Sequence, residues 1–198
     1  MINARSIQPG KQHGFTLVEL MVAIAIAAIV IAFAVPSFEQ IRNGTRLSSG
    51  ANDLLTALQL ARSEAIRRNH AVTFCPTNAA QSACLNSPAV FDEGFYWMVI
   101  DRNVTPAEVI RTDLIRQPVV VLTSPSLAAR NDRVIFRADG LAYNSSGALL
   151  NGAIATCLPT ARPHENMASV HVAPGGRMAI EKHVKGAVCT GGVNDNGD

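Results

Sequence analysis

Residues 14–38, GFTLVELMVAIAIAAIVIAFAVPSF, constrain this chain more than any other stretch. They hold sixteen consecutive apolar residues, Leu20 to Val35, preceded by Phe15, Thr16, Leu17 and Val18 and interrupted by Glu19. As an α-helix the segment from Phe15 to Phe38 is about 36 Å long, enough to cross a hydrocarbon core of about 30 Å. The run therefore reads as a single membrane span. A secretory signal peptide has its small-residue cleavage site after the apolar run, which is then discarded. Here the small residue, Gly14, precedes the run and ends a polar leader, MINARSIQPGKQHG, with Arg5, Lys11 and His13 and no acid. Positive charge on that leader keeps it cytoplasmic and sends the C-terminal part outward.

A carboxylate five residues into the run is costly in hydrocarbon unless it is paired, which marks Glu19 as a functional residue. The nearest candidate partner is the α-amino group that cleavage after Gly14 would create on Phe15, in this chain or in a neighbour. Pro36 stands at the end of the span, where its missing N–H and its ring should loosen or kink the helix without ending it. Together Gly14, Phe15, Thr16, Leu17, Glu19 and Pro36 resemble the type IV prepilin signature. That resemblance implies cleavage by prepilin peptidase between Gly14 and Phe15, N-methylation of Phe15, and a role for Glu19 in assembly, where it neutralises a neighbour's terminus.

Beyond the span, Leu47, Ala51, Leu54, Leu55, Leu58, Ala61 and Ala65 recur at three- and four-residue steps, the apolar stripe of an amphipathic helix. Its polar face carries Arg46, Asp53, Arg62, Glu64, Arg67 and Arg68. Residues 15 to about 69 read as one long bent helix with a weak point at Asn43-Gly44. From residue 71 onward, short apolar or alternating runs separated by Pro, Gly, Asn and Asp predict seven or eight antiparallel strands. Asp139-Gly140 and Pro174-Gly175-Gly176 are the expected tight turns. The expected fold class is α+β: a long N-terminal transmembrane and amphipathic helix packed on a C-terminal antiparallel β-sheet domain. The domain plan is a cleaved leader at 1–14, an apolar helix at 15–38, an amphipathic helix at 39–70, a disulfide-bonded β domain at 71–190 and a loose tail at 191–198. Strand order between 77 and 160 stays open.

Four cysteines lie on the side where disulfides persist, and three pairings are possible. Sequence order favours Cys75–Cys84, closing a small polar loop, and Cys157–Cys189, tying the last strand back. No Cys-x-x-Cys occurs, and His164, His171 and His183 lack ligand spacing, so no metal or other cofactor is expected. Ser145 and Ser146 sit in no Gly-x-Ser-x-Gly elbow, so the chain reads as a non-enzyme. Without Arg5 and Lys11, 15 basic residues face 15 acidic ones, a balance that demands no nucleic acid.

The words ARSEAIRRN running into HAVTFCP, and SVHVAPGGR near the end, resemble the GspH/FimT branch of pilin-like proteins. These are the minor pilins of type IV pili and the minor pseudopilins of type II secretion. The resemblance implies a pilin-like fold and a FimT/FimU-like minor pilin assembled into, or priming, a type IV pilus, with a GspH-like pseudopilin as the alternative. It implies as partners other major and minor pilins or pseudopilins, the prepilin peptidase and an inner-membrane assembly platform. It places the chain in the bacterial inner membrane before assembly, single-pass with a periplasmic C-terminal domain, and afterwards in the pilus or pseudopilus. Some members of the branch serve in natural transformation and bind incoming DNA near a terminal Gly-Arg turn, a second alternative under which Arg177, Lys182 and Lys185 would be the DNA contacts here. This chain reads Gly176-Arg177-Met178-Ala179 and lacks the second Arg of Gly-Arg-x-Arg, which favours basic residues on a solvated hairpin.

Overall fold

The apolar stripe between Leu47 and Ala65 decides the architecture, because a stripe of that width must be buried against something. The structure, a computed structural model, describes residues 14–85 and 93–197, apart from the side chains of residues 33–36. Helix α1 runs Leu17–Arg68 and contributes to two compact units, Met1–Glu39 and Gln40–Asp198. In the first unit the apolar side chains are exposed: Phe15 by 79%, Ile24 by 61%, Ile31 by 60%. Mean hydropathy reaches 2.8 over an 18-residue window, and α1 is the one helix among the described residues long and apolar enough to cross a membrane.

In the second unit the helix is packed. Leu47, Ala51, Leu54, Leu58, Ala61 and Ala65 are buried in one core with Phe74, Trp97, Val99, Phe136, Ile154 and Val170. The strands are β1 (Val72–Pro76), β2 (Gly94–Asp101), β3 (Glu108–Arg116), β4 (Val120–Thr123), β5 (Val134–Phe136), β6 (Ala142–Tyr143), β7 (Gly152–Cys157), β8 (Met167–Val172) and β9 (Met178–His183), with a short helix α2 (Pro125–Ala128) after β4. They form a five-stranded sheet ordered β3-β2-β1-β5-β6 and a four-stranded sheet ordered β4-β7-β8-β9. Every pairing is antiparallel, so the fold is α+β. The chain leaves the first sheet for β4, returns for β5 and β6, and leaves again for β7 to β9. The two anticipated turns close between strands: Gly140 N–H donates to Arg137 O at 2.9 Å, and Gly176 N–H to Ala173 O at 2.8 Å.

An antiparallel sheet with one wet face alternates buried and exposed residues, yet β1, β2 and β7 bury every residue. Two stapled covers account for this. On the first sheet Cys75, Met98 and Ile100 form a separate cluster closed by Cys84. The Cys75–Cys84 disulfide, Cα atoms 5.6 Å apart, holds that loop, and Thr77 N–H donates to Tyr96 O at 3.0 Å. On the second sheet Ala153, Ala155, Cys157 and Met167 cluster with Val193 and Cys189 under the Cys157–Cys189 disulfide.

Residues 191–197, expected as part of a loose tail, make specific contacts in this arrangement. Val193 is 1% exposed, Ser126 N–H donates to Asp195 Oδ1 at 3.1 Å, and Lys185 Nζ donates to Gly192 O at 2.7 Å. The tail lacks apolar periodicity because it is neither helix nor strand. Val193 beside the cystine and these two hydrogen bonds seat it.

Candidate functional site

The first turn of α1 is set by Thr16. Its Oγ1 accepts the Glu19 N–H at 3.2 Å, and its carbonyl accepts the Leu20 N–H at 3.1 Å, which makes Thr16 the N-cap. Thr16-x-x-Glu19 also has the spacing of a capping box. The helix therefore begins at Leu17 and leaves Gly14 and Phe15 outside it. Both are exposed, and among the described residues nothing lies within 4 Å of where a Cβ on Gly14 would stand. Glu19 is exposed in the first turn, where the positive end of the helix dipole favours an acid. The leader up to His13 lies outside the described residues, as does the Pro36 side chain and with it the expected kink.

At the other end of α1 a charge cluster ties the helix to the first sheet. Arg68 Nη1 lies 3.0 Å from Oδ2 of Asp101, a fully buried acid at the end of β2. The same guanidinium grips Glu108 at the start of β3 with both Nη atoms, at 2.5 and 2.9 Å, and its Nε reaches Glu64 at 2.8 Å. Asp101 Oδ1 accepts the Asn103 N–H at 2.9 Å. Hydrogen bonds from Arg67 and Arg68 pull the Glu64 carboxyl down to about 2, and Arg68 holds Glu108 below its usual range. The sequence puts Arg68 on a polar face with Glu64 but does not reveal Asp101 and Glu108, which are distant along the chain.

The three candidate DNA contacts do not converge. Arg177 lines a groove with Arg62, Gln59, Ser63, Ile66 and Met178. Lys182 lines a different groove, with His164 and Glu165. Lys185 is engaged with the Gly192 carbonyl. No group of three His, Cys, Asp or Glu side chains suited to a metal occurs among the described residues.

Residues 50–176 match the family model described as type II transport protein GspH, and residues 9–35 match the prokaryotic N-terminal methylation motif. The chain belongs to the GspH family. It is thus a type IV pilin-like protein of the group that holds minor pilins and pseudopilins, a family of structural subunits. Similar solved structures are two crystal forms of the type IV minor pilin FimU of Pseudomonas aeruginosa strain PAO1. The P21 form is 17% identical over 69% of this chain and 89% of its own, at a TM-score of 0.48. The P65 form is 18% identical over 68% of this chain and 92% of its own, at 0.47. No curated relative matches the chain. In this GspH-family protein the methylation motif spans the cap at Thr16 and the acid at Glu19, and the GspH match covers the packed part of α1 and both sheets up to the β8–β9 turn.

Proposed function

We propose that this GspH-family protein is a minor type IV pilin, cut between Gly14 and Phe15 by prepilin peptidase, N-methylated on Phe15, and assembled into or priming a pilus. The observation that carries this reading is the exposed apolar helix beginning directly after an exposed Gly14-Phe15 pair, on a chain whose core, among the described residues, lies in Gln40–Asp198. Before assembly the apolar segment sits in the inner membrane, with Arg5 and Lys11 holding the leader on the cytoplasmic side and the β domain in the periplasm. In the filament, Ala23, Ala25, Ala27, Ala28 and Ala32 allow neighbouring helices to approach closely. Glu19 then pairs with the amine of a neighbouring Phe15. A head-to-tail contact that repeats without closing builds a helical fibre. The partners are other pilins, the peptidase and an inner-membrane assembly platform, and the protein performs no catalysis of its own.

The pseudopilin reading has one observation in its favour, the family model named for type II transport. Deleting the gene separates the two: loss of surface pili supports the pilus, and loss of protein secretion with pili intact supports the pseudopilus. A competence role in DNA uptake gains little, since Arg177, Lys182 and Lys185 serve three different surroundings.

The core of the proposal is tested with Glu19→Ala. The variant is expected to be cleaved and inserted as usual but absent from sheared filaments. Incorporation at the normal level would overturn the role given to Glu19.

A further inference from the structure

Arg62 and Arg177 are brought together from the two ends of the packed domain. Arg62 lies one residue after Ala61 and four after Leu58, at the rim of the buried stripe of α1. Two turns close over it. Its Nε stands 3.3 Å from where a Cβ on Gly176 would be and 3.4 Å from the corresponding point on Gly140, both glycines having positive φ. That Nε is buried and makes no hydrogen bond. Arg177 is exposed just after the second turn, and the groove the two arginines line has a volume of about 530 Å³. Gln59, Ser63, Ile66 and Met178 complete the lining, so among the described residues it contains two cations and no acid.

The Arg62 side chain is part-exposed at the groove and Arg177 is exposed there, and the charge-assisted bond that a guanidinium makes best is to an oxyanion. Nucleic acid is a poor fit for this groove. No aromatic side chain is there to stack on a base, and the next cations along the chain, Lys182 and Lys185, do not continue it into a phosphate track. A protein carboxylate fits better. Ile66, 51% exposed, and Met178 form an apolar wall beside the two guanidiniums, which suits an Asp or Glu flanked by apolar residues. We infer that the Arg62–Arg177 groove is a docking site for an acidic side chain on a neighbouring subunit. The identity of that partner as a subunit rests on the filament reading above; the chemistry of the groove does not.

The test uses the full-length mature chain in detergent and a blocked tripeptide, acetyl-Leu-Glu-Leu-amide, against its Gln analogue, inorganic phosphate and an oligo-dT strand. Arginine side-chain NMR signals report binding. The acidic peptide is expected to shift the Arg62 and Arg177 signals, the Gln analogue to leave them in place, and R177Q to weaken the acidic peptide about tenfold. Arg177 is exposed and makes no side-chain hydrogen bond among the described residues, so R177Q should fold normally; R62Q, with its melting temperature checked, is the second variant. Equal shifts from both peptides, binding unaffected by R177Q, or a response to oligo-dT or phosphate alone would each overturn the proposal. Glu19→Ala reads filament assembly independently, so failure of the groove leaves the filament reading standing, and failure of the filament reading removes the subunit as partner without changing the response to the peptides.

Discussion

Arg68 illustrates how one side chain can couple three elements. It satisfies the buried Asp101 while bridging Glu64 on α1 and Glu108 on β3. Removing one partner of a buried pair leaves an uncompensated charge, and Arg68→Met is expected to cost about 3–5 kcal/mol in a urea titration at neutral pH. The acid dependence has a definite sign. Glu64 and Glu108 both have folded values below their usual one, so the stability they confer is present above about pH 4.5 and drains away as pH falls. R68M should flatten that acid slope as well as lower the plateau; an unchanged slope would mean that Arg68 does not hold these carboxyls. The contrast in legibility is instructive. Gly14, Phe15 and Glu19 stand out in the sequence because the pattern they form lies within six residues, whatever their roles prove to be. Asp101 and Glu108 stand 33 and 40 residues from Arg68, a distance that no local pattern spans.

Most strands were readable from short β-rich runs, whereas the two-residue β6 carries too little sequence to register. Their order was not readable either, because a run such as Val120–Thr123 does not record which sheet receives it. The covers were missed for a related reason. Their work is done by a cystine and a single apolar contact, which leave no periodicity. The two disulfides differ in what they close, with sequence separations of 9 and 32. Chain entropy alone assigns about 3 kcal/mol to the shorter loop and about 4 kcal/mol to the longer. The longer also seats Val193 on β7 and β8. Replacing Cys157 and Cys189 together by Ala should therefore destabilise more than the same change at Cys75 and Cys84. Denaturant titration of the two double variants checks this, and an equal or reversed order would refute the covering role of the tail.

Across the whole molecule the hydropathy profile reads as an apolar segment followed by a packed part, and the chain divides into two compact units, Met1–Glu39 and Gln40–Asp198. What sequence could not disclose is how completely the packed part looks after itself. Its first core residue is Leu47, and each named cluster of buried side chains lies beyond that point. Apolar residues that stay exposed when the domain folds contribute nothing to its hydrophobic stabilisation, whatever their number. A chain beginning at Gln40 should accordingly unfold in one cooperative step at the same denaturant midpoint as the mature protein in detergent, with a stability difference within about 0.5 kcal/mol. It should also stay in solution without detergent and fail to enter filaments, since the segment that carries Glu19 is gone. Calorimetry and pelleting of sheared filaments measure the two consequences separately. A truncated chain that unfolds at a much lower midpoint would show that residues before Gln40 support the domain. One that still enters filaments would show that the apolar segment is not what subunits stack by.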